Sequence, residues 1–163
     1  MCGQGWTSTT PRLCSNSWNP ELILPDVNVL VYAHREDAAG HAAVRSWLDN
    51  VINGDEAYGI SELVLSGFVR VVTHAKVFNK PSSLADALAF AEQLREPPNS
   101  VRVEPGMRHW DLFRRLCDEI GAKGNLVPDA YLAAMAIESG CEWITTDRDF
   151  SRFSGLRWRH PLK

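Results

Sequence analysis

From residue 21 onward, short apolar runs alternate with longer stretches of helical spacing. Leu22-Ile23-Leu24 is an apolar run that stops at Pro25-Asp26, and the chain turns apolar again from Val27 to Ala33. A buried strand feeding a helix through a sharp turn is predicted there. Ala42, Val44 or Arg45, Leu48 and Ile52 recur near helical spacing within 38–52, with Trp47 on the same flank, and Gly54-Asp55 ends the stretch. Residues 57–60 read as a second strand. Ser61 is placed to cap a helix over 62–72. Ser82 or Ser83 caps the next, over 84–94, which Pro97-Pro98 terminates. A third strand is predicted over 101–103 and a helix over 106–120, with Trp110, Phe113, Leu116 and Cys117 on one side. Residues 121–128 form a loop, Pro128 opens a helix over 129–139, and Gly140 closes it. Residues 142–145 are a fourth strand and 156–158 a fifth.

Short strands between longer helices predict an α/β fold: a three-layer α/β/α sandwich around a mostly parallel sheet. Residues 1–20 lack either period and carry one charged side chain, Arg12. They read as a flexible extension, which leaves 21–163 as one domain. At 163 residues and 45% apolar composition, such a domain buries a core without staples. No run approaches the ~20 apolar residues of a membrane span, and no charged start leads into an apolar run as in a secretory signal. The four cysteines, Cys2, Cys14, Cys117 and Cys141, have no metal-ligand spacing. Free thiols and a cytoplasmic setting are expected, with Cys117 and Cys141 in the core beside Trp47, Trp110 and Trp143.

Ligands of a parallel sheet collect at the carboxyl ends of its strands. Asp26, Glu62 and Asp147 follow predicted strands, and Asp129 begins a helix after a loop. Each has a plain alternative as a helix-cap residue. Asp26 resists it most, because it interrupts the apolar stretch LILPDVNVLVYA. Four carboxylates gathered together would repel one another, and a hard divalent cation such as Mg²⁺ or Mn²⁺ relieves that repulsion. The five histidines are dispersed, which disfavours zinc. A carboxylate-bound Mg²⁺ or Mn²⁺ suits phosphate chemistry.

Four segments together carry a family likeness: LPDVNVL at 24–30, SEL at 61–63, VPDAYLAA at 127–134 and ITTDRDF at 144–150. In that order and spacing the chain resembles the PIN-domain family. Within it, the likeness is to the VapC ribonuclease toxins of bacterial VapBC toxin–antitoxin pairs, close to a mycobacterial-type subgroup. The resemblance implies that Asp26, Glu62, Asp129 and Asp147 are the catalytic acids and metal ligands. Asp26 and Asp129 match the pair most often assigned to Mg²⁺. Asn28 and Thr145 match polar positions beside the acids, and Asp149 a frequent fifth acid. Val27 departs from the Ser or Thr common after the first Asp.

The implied activity is endoribonuclease cleavage of structured RNA, leaving a 5′-phosphate and a 3′-hydroxyl and lowering translation. The implied partners are RNA, a second copy of the chain and a VapB-type antitoxin. The antitoxin's groove and the dimer face are expected near 27–76, where Val71, Val72 and Phe78 stand.

The formal net charge of −3 argues against a bulk polycation. The charge is unevenly placed, however. Residues 148–163 hold Arg148, Arg152, Arg157, Arg159 and Lys163 against Asp149 alone. The four arginines are candidates for RNA binding, with Trp158 either stacking on a base or packed inward. Two other functions fit less well. A PIN-like module that binds RNA or protein without cutting is disfavoured by the complete acid set. A Mg²⁺-dependent phosphatase usually needs a second Asp where Asn28 stands.

Overall fold

The computed structural model describes residues 22–163. The extension read over 1–20 lies outside the described residues, as do Cys2, Cys14, Trp6 and Trp18. Five strands are present: β1 (Ile23–Pro25), β2 (Tyr58–Ile60), β3 (Ser100–Arg102), β4 (Glu142–Ile144) and β5 (Trp158–Arg159). They lie in the order β3-β2-β1-β4-β5, and every pairing is parallel. The helices are α1 (Val27–His34), α2 (His41–Ile52), α3 (Glu62–Val72), α4 (Leu84–Arg95), α5 (His109–Ile120) and α6 (Leu126–Ser139).

The three layers follow from the strand order. The chain steps from β1 to β2 to β3 in one direction through α1–α4, then crosses back past β1 to β4 through α5 and α6. Right-handed crossovers running in opposite directions place their helices on opposite faces. Accordingly α1 packs on α2 and α3, α3 on α4, and α5 on α6. Strands covered on both faces need apolar side chains on both, and Leu24, Ile60, Trp143 and Ile144 are buried.

Several boundaries move for identifiable reasons. Helix α5 starts at His109, not 106, because the Glu138 carboxylate accepts the Gly106 and Arg108 N–H groups at 2.7 and 2.8 Å and holds that approach outside the helix. Helix α6 starts at Leu126, so Pro128 is its third residue, where no N–H is required, and Asp129 lies in its first turn. Ser83 is the residue that caps α4, accepting the Asp86 N–H at 3.0 Å. Ser61 stands before α3 but makes no capping bond; its hydroxyl faces Met135 Sδ at 3.5 Å. Gly140 ends α6 with φ 70°, a left-handed conformation that favours glycine.

Trp143 is fully buried against Phe150, at 5.4 Å between ring centroids. Trp47 is half-buried against the core. Trp110 corrects the expectation: it is 61% exposed and only leans on Phe113. The rest of the stripe chosen from sequence holds: Leu116 is buried, Phe113 and Cys117 pack against the core, and His109, not Trp110, is the buried residue at the start of α5. Cys141 is buried and Cys117 only partly so, and both are free thiols.

Trp143→Ala is expected to cost about 3–5 kcal/mol of stability, and Trp110→Ala less than about 1 kcal/mol. Urea unfolding at a constant m-value checks both. Equal losses would contradict this assignment of the core.

Candidate active site

Asp26 sits where β1 ends and α1 begins, and it caps that helix. Its N–H donates to the Ile144 carbonyl at 2.9 Å, continuing the β1–β4 ladder one residue past the strand. The side chain is 4% exposed. A carboxylate so buried needs donors, and it has three. Val27 N–H reaches Oδ1 at 2.6 Å. The Thr145 hydroxyl donates to Oδ2 at 2.6 Å, and the Asn28 amide to the same oxygen at 2.8 Å.

Asn28 and Thr145 also shape the end of β4. The Asn28 carbonyl oxygen accepts the Thr146 N–H at 3.2 Å, and its amide donates to Thr145 Oγ1 at 3.0 Å. Thr145 Oγ1 accepts the Asp147 N–H at 3.0 Å as well. One network therefore sets Asp26 and the backbone of Asp147 together. Asp147 then caps a 3₁₀ turn over Arg148–Arg152 by accepting the Asp149 N–H at 2.8 Å.

The carboxylates feel one another. The carboxyl of Asp26 is pushed up to about 6, first by burial and then by the charges of Asp129 and Asp147, against the lowering effect of its hydrogen bonds to Thr145 and Val27. Asp129 is also pushed up to about 6, by burial and by the charges of Asp147 and Asp149. Four acids thus share one neighbourhood: Asp26, Asp129, Asp147 and Asp149. Among the described residues, no three acids, histidines or cysteines already stand in a coordinating arrangement.

Glu62 is held elsewhere. Its Oε1 pairs with Arg95 at 2.8 Å and with Arg102 at 3.0 Å, which turns it toward the β3 side of the sheet. Sequence reading missed both arginines, since neither lies near an acid motif. The C-terminal arginines also divide. Arg152 pairs with Asp149 at 3.2 Å, and Arg159 with Glu142 at 2.9 Å. Arg157 donates to the Gly140 carbonyl at 2.6 Å, before β4 starts and so at the sheet edge opposite the carboxylates. Arg148 is exposed, and among the described residues it makes no hydrogen bond or ion pair.

An all-parallel α/β sheet with acids gathered at its carboxyl edge defines a protein built to hold a polar ligand there. The PIN domain family model matches residues 23–156, and the chain belongs to that family. Ribonuclease VapC43 of Mycobacterium tuberculosis is 48% identical over 141 residues, covering 86% of this chain and 96% of the relative. Ribonuclease VapC25 of the same organism is 43% identical over 140 residues, covering 86% and 99%. Among solved structures, the fold matches VapBC2 from Rickettsia felis, bound to a DNA fragment from its promoter. The TM-score is 0.63 at 16% identity, covering 85% of this chain and 98% of that one.

Both raised carboxyls hold protons in the folded state that the unfolded chain releases from about pH 4 upward. Without divalent metal, the stability they contribute is complete below about pH 4 and is lost as pH rises through about 6. Asp129→Asn removes part of that loss. It is expected to raise metal-free stability at pH 8 by about 1 kcal/mol, the shift being discounted for partial exposure, and to change little at pH 4. Urea titrations at the two pH values in EDTA test this, and an equal effect at both would refute it.

Proposed function

We propose that this protein is a divalent-metal-dependent endoribonuclease, the toxin of a VapBC-type toxin–antitoxin pair acting in the cytoplasm. The observation that carries the reading is the buried Asp26 carboxylate at the carboxyl end of β1, close enough to Asp129 and Asp147 to feel their charge, in a chain 48% identical to a ribonuclease. Carboxylates held together without an internal cation are costly unless something positive joins them. The donor set consists of hard oxygens, and Mg²⁺ commonly takes one or two carboxylates and completes its shell with water, so these residues fit Mg²⁺ or Mn²⁺. Asp26, Asp129 and Asp147 are the proposed holders. When bound, such an ion activates water and stabilises charge on a phosphodiester.

The chain's own residues prepare for that chemistry. The hydrogen bonds of Asn28 and Thr145 fix the Asp26 carboxylate and hold Asp147 in register with it. Asp149, which adds negative charge beside Asp129, is tied to Arg152 and contributes mainly field. Glu62 belongs to the acidic edge only after parting from Arg95 and Arg102, so its share in catalysis is smaller than that of Asp129.

A place for the antitoxin segment is an apolar groove of about 540 Å³ beside the first turn of α1. Val27, Leu63, Gly67, Val127, Tyr131 and Leu132 line it. It lies between α3 and α6, not along Val71, Val72 and Phe78, because Val72 is in the core and Phe78 is covered by the Arg35 guanidinium at 4.3 Å. A second copy of the chain is a further expected partner.

Cleavage of a structured RNA is expected to require Mg²⁺ or Mn²⁺ and to stop in EDTA. Asp26→Asn and Asp129→Asn should each lower the rate by about 100-fold or more, and Glu62→Gln by about 10-fold. Gel-resolved initial rates measure all three. Metal-independent cleavage, or cleavage that survives Asp129→Asn, would overturn the proposal.

A further inference from the structure

Beside Asp147 lies a second cavity, of about 390 Å³, lined by Thr146, Arg148, Trp158, Arg159, His160 and Lys163. Its size is within the range of small-ligand sites, roughly 300–1,000 Å³. No carboxylate side chain lines it, and four of its six side chains are basic. Arg159 is already committed to Glu142, and its Nη1 also donates to the Lys163 carbonyl at 3.3 Å. Among the described residues, no Asp or Glu side chain pairs with Arg148 or with the Lys163 ammonium. Nδ1 of His160 accepts the Leu162 N–H at 3.2 Å, which leaves Nε2 as the ring's other polar atom. Trp158 is half-buried, packing partly on the core and partly lining the cavity.

Backbone geometry joins this cavity to the carboxylates. Asp147 has φ −87° and ψ 118°, which is extended. Successive side chains on extended backbone point to opposite sides. Asp147 accordingly lies with Asp129, while Thr146 and Arg148 on either side of it line the cavity. Polynucleotide lying across the carboxylates must place a neighbouring nucleotide close by.

We infer that this cavity is a nucleotide subsite for the RNA strand. Arg148, Lys163 and His160 take a backbone phosphate adjacent to the scissile one, and Trp158 offers its ring to the base. The inference rests on the endoribonuclease reading and adds the residues that position the strand. Arg157, on the opposite edge, has no part in it. Thr146, His160 and Lys163 join the RNA contacts expected from sequence.

The test is fluorescence anisotropy of a 5′-labelled single-stranded heptaribonucleotide with the full chain in EDTA, where no cleavage is expected, across a series of salt concentrations. Arg148→Ala and Lys163→Ala, both at exposed positions, are each expected to weaken binding about fivefold. Each should also flatten the plot of log affinity against log salt by up to about 0.7. Trp158→Leu should weaken binding about fivefold or more, and Trp158→Phe should restore most of it.

Unchanged affinity and slope in both Arg148→Ala and Lys163→Ala would overturn the subsite. So would loss of binding to a polyglutamate peptide in those variants with RNA binding intact, since the cavity would then serve an acidic protein. Failure of the hydrolytic reading looks different: wild-type protein would bind the RNA through these residues yet not cut it with Mg²⁺ or Mn²⁺.

Discussion

A carboxylate buried at the junction of a strand and a helix is the constraint on which the site depends. Asp26 is removed from water by the strands on either side and by the first turn of α1. Left bare, it would be among the most costly groups in the molecule. Three donors hold it, and the Thr145 hydroxyl brings the end of β4 with it. The same hydroxyl accepts the Asp147 N–H, so satisfying Asp26 also sets the backbone of that second acid. Satisfaction is incomplete, because the carboxyl still titrates near 6. Burial first, and then the charges of Asp129 and Asp147, keep it raised, and an added cation would offset both.

The fold was largely legible in the pattern of apolar positions. Each predicted strand and helix has a counterpart, because short buried runs and capped amphipathic stretches are local signals. Local signals could not find Glu138 gripping Gly106 and Arg108, since that bond joins segments about thirty residues apart. Nor could they show that Trp110 alone of its stripe stands outside the core, while Phe113 meets Tyr131 of α6. Asp26 was conspicuous because it breaks an apolar stretch. The ion pairs of Glu62 were not, since Arg95 ends α4 and Arg102 lies on β3, both distant in sequence from Glu62 until the fold brings them to it.

The charge reading sharpened in the same way. A cationic C-terminal segment was evident from composition, but composition does not say which side chains are spent internally. The structure commits Arg152 to Asp149, Arg159 to Glu142 and Arg157 to a main-chain carbonyl. What is left for a ligand is Arg148 with the side chains after β5, gathered by a turn in which Lys163 N–H bonds the His160 carbonyl at 3.2 Å. The positive field is therefore narrower than the sequence implies, and it adjoins the acids.

The hydrogen bond between Thr145 and Asp26 spans 119 positions of the chain. Closing so long a loop is entropically slow, and β1 can pair with β4 only after α1–α6 have been made. During synthesis Asp26 emerges first and waits for its partner, while Asp129 and Asp147 follow more than about a hundred residues later. A chain still growing on the ribosome thus carries these acids apart, and they meet only after β4 has emerged to pair with β1.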